Sequence, residues 1–238
     1  MKGILLVAVF LFAAQTEVEI TNEPHHHLSL ENEYVRVFDV EVPPHTDTLM
    51  HIHHHDYVFV TIGASDVINE EKGKPPVTLH LQDGETRLLS APLTHIAHNQ
   101  TDRPFINSTI ELLYPTRVAK ECATKNCVVK PANWDDTRGV SVLPAGTKQI
   151  LFANQGVRAS EIELQPSGSV TLTHAGPCLL VAVGDVDLRS EAKGDRVAAP
   201  PASDHVGSGK SKWLSGYHAR MLTNSSQHLA KFVVLEFP

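Results

Sequence analysis

Fifteen histidines in 238 residues are the first chemical signal in this chain, and several of them are clustered. The densest cluster is Leu49-Met50-His51-Ile52-His53-His54-His55-Asp56-Tyr57. Side chains alternate faces along a strand, so His51 and His53 share one face there while Met50 and Ile52 share the other. Two neutral imidazoles so placed can grip one first-row transition-metal ion. His54 and His55 fall where the chain turns, and consecutive histidines in a turn read first as solvated loop residues. A third ligand must come from elsewhere, and Pro92-Leu93-Thr94-His95-Ile96-Ala97-His98-Asn99 offers two, His95 and His98. His95 lies 42 residues beyond His53, enough chain for a later strand to return beside the first. Residue chemistry alone leaves His95 and His98 equal. His25, His26 and His27 precede the first expected strand and read as a cover over one end of the fold.

Strands must position these groups. Short apolar or alternating segments punctuated by Pro, Gly, Asn and Asp predict strands at Tyr34 to Val42, Tyr57 to Ile62, Thr78 to Leu81, Thr86 to Leu89 and Asn107 to Leu113. A second series follows at Ala159 to Leu164, Ser169 to Thr173, Leu179 to Val183, Val186 to Arg189 and Lys231 to Phe237. The two series look like copies. Asn32-Glu33-Tyr34-Val35-Arg36 matches Asn154-Gln155-Gly156-Val157-Arg158 at an offset of 122, and Val40 to Pro44 matches Ile162 to Pro166 at the same offset. Asn99 and Glu111 are 12 apart, as are Asn224 and Glu236. Agreement in order and spacing at separated anchors predicts an internal duplication. Each copy has enough short strands for a small barrel or jelly roll. Arg36 and Arg158 recur beside acidic residues, which predicts a structural ion pair in each copy. Glu191 to Gly209, rich in Pro, Gly and Ser, reads as a long surface loop.

These motifs resemble those of the cupins. The family's first motif centres on His-x-His, which His51-x-His53 fits. Its second runs Gly, Pro-x-Gly, His and Asn, and Gly84, Ser90, Pro92, His95 and Asn99 fall on those positions, with Ser90 and Pro92 replacing the family's Pro and second Gly. The resemblance covers residues 26 to 238 and implies an all-β chain of two jelly-roll barrels. These are an N-terminal barrel over 26–118 carrying the metal site, a linker over 119–137, and a C-terminal barrel over 138–238 with a degenerate site. It further implies that His51, His53 and His95 are ligands of a divalent transition metal (Zn, Fe, Ni, Mn or Cu), with Asn99 structural.

Departures from the pattern shape the expected chemistry. The family's glutamate ligand is Tyr57 here, His45 stands for the first Gly, and Gly63 comes one residue early for the last. Losing a carboxylate leaves a neutral three-imidazole site with an open position for water or an anion. Tyr57, His55 and His98 are the candidates for acid/base or ligand-binding roles, and Tyr57 reads equally as a wall residue. In the second copy Leu172 aligns with His51, His174 with His53, Cys178 with Tyr57 and Arg220 with His95, which is no transition-metal site. Resemblance does not choose among oxygen activation, carbonyl polarisation for isomerisation or hydrolysis, and recognition of a carboxylate or sugar acid. The expectation is therefore a metal-binding bicupin. Its readings are a dioxygenase-, isomerase- or hydrolase-type enzyme on a small organic substrate, and a noncatalytic ligand-binding or structural protein. No Gly-x-Ser-x-Gly or His-Glu-x-x-His motif marks a hydrolase.

Composition bounds partners and compartment. The chain is 42% apolar with a net charge of −7 and no Lys/Arg cluster, which argues against nucleic acid and anionic membrane as partners. Lys2 followed by the 11-residue apolar run Ile4 to Ala14 reads as a secretory signal peptide, placed over residues 1–20, and predicts a secreted or periplasmic protein. No later run is long enough to span a bilayer. Cys122 and Cys127 are spaced to close a small disulfide ring, and Cys178 reads as a buried strand residue. Further association into oligomers stays open.

Overall fold

The computed structural model describes residues 16–114, 139–154, 156–173, 176–192, 202–216 and 219–238. The N-terminal half contains β1 (Val18–Glu19), β2 (His26–Glu31), β3 (Val35–Val42), β4 (Thr46–Asp47), β5 (His51–His53), β6 (Tyr57–Ile62), β7 (Ser65–Glu71), β8 (Val77–Leu81), β9 (Thr86–Leu89), β10 (Leu93–Asn99) and β11 (Phe105–Leu112). The C-terminal half contains β12 (Val140–Leu143), β13 (Gly146–Ala153), β14 (Arg158–Leu164), β15 (Ser169–Leu172), β16 (Cys178–Ala182), β17 (Val186–Ala192), β18 (Ala202–Val206), β19 (Ser211–Leu214), β20 (Arg220–Asn224) and β21 (Ala230–Glu236). Four sheets result, ordered β1-β5-β10-β7-β8 with β4 beside β10, β2-β3-β11-β6-β9, β12-β13-β14-β21-β16-β19, and β15-β20-β17-β18.

The duplication is visible in this topology. With β1, β4 and β12 set aside, the paths β2-β3-β11-β6-β9 and β5-β10-β7-β8 map strand for strand onto β13-β14-β21-β16-β19 and β15-β20-β17-β18. Register breaks between the first two strands of each copy fall at Leu28/Leu30 and Ile150/Phe152, the same offset of 122. Side-chain anchors repeat as well. Asn99 Nδ2 donates to the carbonyls of Val42 (2.9 Å) and Arg103 (2.8 Å), and Asn224 Nδ2 to those of Leu164 (2.9 Å) and His228 (2.7 Å). Asn32 Oδ1 accepts the amides of Tyr34 and Val35, as Asn154 Oδ1 accepts those of Gly156 and Val157. Both expected ion pairs form: Arg36 Nη1 to Glu111 Oε2 at 3.2 Å, and Arg158 Nη2 to Glu236 Oε2 at 2.8 Å.

The sheets stack as four layers with an apolar slab in each gap. Phe38, Val40, Val42, Tyr57 and Phe59 face the interior of the N-terminal half, whereas Val35, Val37, Val58 and Val60 face the other way. That second set meets Leu179, Val181, Val233 and Leu235 of the C-terminal half, whose alternate residues Leu180, Phe232 and Val234 point into its own interior. The two middle sheets are thus buried on both faces, which explains the continuous apolar runs Tyr57 to Val60 and Cys178 to Val183 where half-exposed strands would alternate. Lys210 Nζ adds a link between the halves to Asp39 at 2.7 Å.

Two boundaries differ from expectation. Val18–Glu19 pairs in parallel with His51–Ile52, and Ile20 is 2% exposed in the core. The N-terminal domain therefore begins before residue 26, and a leader ending at residue 20 would carry off a strand that the fold uses. Within Glu191 to Gly209, β17 continues to Ala192 and β18 pairs with it from Val186↔Val206 to Ser190↔Ala202, so this stretch is in part an edge hairpin and not a loop. Its polar composition hid a strand that packs through few apolar side chains, Val206 among them. The expected linker over 119–137, with Cys122 and Cys127, and His174 of the second copy lie outside the described residues. No helix among the described residues is long and apolar enough to cross a membrane.

Candidate metal centre

Antiparallel pairing of β5 with β10 places His51 opposite His95 and Leu93 opposite His53. Strand alternation turns His51, His53 and His95 to the same interior face, and one ring nitrogen from each lies within 4.8 Å of the others. His51 and His53 are buried, at 0% and 1% exposed, and His95 is half-buried. Their ring centroids form a triangle with sides of 4.5, 5.1 and 5.3 Å.

The outer nitrogens are largely held by the protein. His51 Nδ1 lies 2.8 Å from the Leu49 carbonyl and His95 Nδ1 lies 2.6 Å from Asn69 Oδ1, which suits N–H donation outward and leaves each Nε2 with a free lone pair. His53 Nδ1 faces Glu111 Oε1 at 3.8 Å, beyond hydrogen-bond reach. Inside, His51 Nε2 is buried without a partner, and the Nε2 atoms of His53 and His95 are 3.3 Å apart. Two nitrogens bound to a common ion at ~2.1 Å with angles of 90–109° stand roughly 3.0–3.4 Å apart. The residues therefore fit a divalent transition metal: borderline-soft donors converge, and an unpartnered buried lone pair awaits a cation.

Burial sets the protonation state of the set. It pushes the His51 pKa down to about 4, with His26 adding to the shift. His53 is driven far below the ordinary histidine range by burial and then by its neighbours His95 and His51, and His95 is lowered by burial, His51 and His26. All three are neutral at physiological pH, the form that ligates. Burial raises the Glu111 carboxyl against the opposing pull of Arg36.

The three acid/base candidates lie differently. Tyr57 borders the cavity and stacks on His53 with ring centroids 3.9 Å apart, and burial raises its pKa, so it remains a neutral phenol in the wall. His98 points to the opposite side of β10, between Asp47 (3.0 Å) and Glu70 (3.1 Å), and is not brought to the triad. His55 is half-buried in the turn after β5 and does not border the cavity.

Sequence reasoning missed a fourth imidazole. His26, expected to cover an end of the fold, borders the same cavity, with its ring 4.6 Å from that of His51. Its Nδ1 lies 2.5 Å from Glu23 Oε2, and Glu23 Oε1 accepts the Leu49 amide at 3.1 Å. One carboxylate, 1% exposed, thereby orients His26 and also the residue whose carbonyl orients His51. Burial pushes the Glu23 pKa up, but the His26 contact and the amides of Leu49 and His25 outweigh it and hold the group ionised. The sequence signal was a Glu three residues before a His, which reads as loop until β2 is known to return to the site.

The second copy preserves the frame without the ligands. Leu172 pairs with Arg220 as His51 pairs with His95, and Cys178 opposes Glu236 as Tyr57 opposes Glu111. Leu172 is packed in the core, Arg220 donates to Ser190 Oγ and the Ser215 carbonyl, and burial pushes the Cys178 thiol up to about 12.

No family model and no curated protein matches the sequence. Solved structures do match its fold. AerE from Microcystis aeruginosa aligns with a TM-score of 0.56 at 8% identity, over 91% of this chain and 98% of that one. Oxalate decarboxylase from Bacillus subtilis aligns at 0.61 and 8%, over 92% and 75%. Vicilin from Capsicum annuum aligns at 0.61 and 11%, over 92% and 85%. At such identities the likeness is one of fold, and it joins the strand mapping above to a single conclusion: the chain has two β-domains similar to those of two-domain cupins, and among the described residues its histidine triad is confined to the N-terminal one.

Proposed function

We propose that this chain is an exported bicupin, built as two jelly-roll barrels, whose N-terminal domain binds one divalent transition metal through His51, His53 and His95. The bound metal serves an enzyme that acts on a small organic substrate. The observation that carries this reading is the convergence of three neutral imidazoles on the wall of a cavity of about 460 Å³. A metal held there supplies a Lewis acid to an oxygen of the substrate. The chain's own part is to fix the tautomers of His51 and His95 through the Leu49 carbonyl and Asn69, and to surround the substrate with low-dielectric walls. Two fold neighbours are consistent with it: Bacillus subtilis oxalate decarboxylase has Mn(II) centres, and the Lactobacillus farciminis oxalate decarboxylase was solved as a formate complex. Export rests on Lys2 and the apolar run Ile4 to Ala14, with removal at or near Ala14 leaving β1 intact.

Metal analysis of the purified mature protein tests the reading. One equivalent is expected in the native protein, and less than a tenth of that in His51→Ala or His95→Ala, while His98→Ala retains it. Full metal content in the triad variants would refute the site. A noncatalytic ligand-binding protein is the competing reading, favoured by the engagement of Tyr57 in stacking and of His98 with two carboxylates. Turnover that vanishes on chelation and returns with metal separates the two.

A further inference from the structure

Apolar side chains make up most of the cavity's lining, with the imidazoles and a few neutral polar groups, Thr48, Asn107 and Thr109, among them. Val40, Val42, Phe59, Leu81, Leu89 and Phe105 line it from β3, β6, β8, β9 and β11. Its volume of about 460 Å³ lies in the lower half of the ~300–1,000 Å³ range of small-molecule pockets and is several times what a two-carbon dicarboxylate fills. Two permanent cations line it, Lys74 and Arg87, and each is already matched: Lys74 Nζ contacts Glu71, and Arg87 Nη2 is 2.6 Å from Glu85. A second carboxylate on a ligand would find no uncommitted cation among the described residues there, only the neutral Thr48, Asn107 and Thr109 set among valine, leucine and phenylalanine, too little to repay its desolvation.

We propose that the cavity takes an organic molecule with an apolar body of ring-system size and a single oxygen-donor head, such as an enol or phenol. The head faces the imidazoles and the body lies along the apolar walls. Small dicarboxylates are poor ligands of this cavity, in contrast to what the fold neighbours' names suggest. The placement of the head on the ion rests on the metal reading above. The selection for an apolar body rests on the walls alone.

Two probes of matched chelating chemistry test this on the Co(II)-loaded mature protein, with the visible cobalt bands and calorimetry as readouts. Tropolone carries two vicinal oxygens on an apolar ring, and oxalate carries two without one. After correction for affinity to free Co(II), tropolone should bind at least tenfold more tightly than oxalate. Val40→Thr keeps the shape of the wall but adds a hydroxyl, and it should weaken tropolone at least threefold while leaving cobalt stoichiometry and oxalate binding unchanged. Oxalate binding equal to or tighter than tropolone, or an equal effect of Val40→Thr on both, overturns the inference while the metal reading stands. If cobalt does not load, the metal reading fails and the metal-free protein decides the inference. There 2-naphthol should bind and be weakened by Val40→Thr, and no naphthol binding overturns it.

Discussion

Glu23 is the residue on which the organisation of the site converges. It is buried, ionised, and joined both to His26 Nδ1 and to the amide of Leu49, whose carbonyl fixes His51. Removing a ligand's direct hydrogen-bond partner typically weakens metal binding 10–100-fold, and the loss of Glu23, one step further out through Leu49, should weaken it by less. Glu23→Gln should show this smaller loss in competition against a chelator, with the His51, His53 and His95 ligands intact. Unchanged affinity would mean that the strand alone orients the imidazoles. The same burial makes the metal-free protein acid-sensitive. An unfolded His51 protonates near the ordinary 6.5, while the folded one resists until about 4. Stability is therefore whole above pH 6.5 and is lost as pH falls toward 4, by roughly 3 kcal/mol from His51 alone. Urea midpoints of the metal-free protein at pH 7 and pH 4.5 should differ in that sense, and His51→Leu should shrink the difference. A flat profile would contradict the burial of the triad.

At the scale of elements, β1 is the least expected part of the site. It pairs beside His51 and Ile52 and leads through Ile20 into Glu23. A mature chain beginning near residue 15 should fold and bind metal normally, whereas one beginning at residue 24 should lose metal affinity and melt at lower temperature. Equal melting of the two would show the strand to be dispensable. The central strands β3, β6, β11, β14, β16 and β21 were all legible in the sequence, β6 and β16 through continuous apolar runs and the others through apolar residues interspersed with polar ones. Those missed, such as β2 and β7, are half-exposed: β7 buries Val67 alone among its residues, so its composition resembles that of a loop. For the site, His51 and His53 were legible because both lie on one strand. His95 could not be separated from His98 until β10 fixed which of them faces inward, and His26 was invisible because nothing local ties β2 to β5.

For the whole molecule, the slab between the halves is as dry as either interior, since Val35, Val58, Leu179, Val233 and Leu235 are all fully buried. Leu235→Ala should cost ~2–5 kcal/mol. Because the sheet it supports is also the wall of the metal cavity, calorimetry should show one transition for both halves at a lowered temperature. Two separate transitions would show that the halves are independent. The buried pair Arg158–Glu236 belongs to the same frame. Glu236→Gln removes the carboxylate that Arg158 Nε and Nη2 both bind and should lower stability, read as a lower urea midpoint. The slab also bears on ancestry. A single-copy chain with this face bare needs a second copy to cover it, so the contact between the halves has the form of an isologous dimer interface that gene fusion made internal. Fusion frees the two partners from having to be identical, so cohesion and chemistry can be selected in different halves of one polypeptide. The half in which Leu172 and Arg220 stand at the counterparts of His51 and His95 can then drift at those positions for as long as its side of the slab holds.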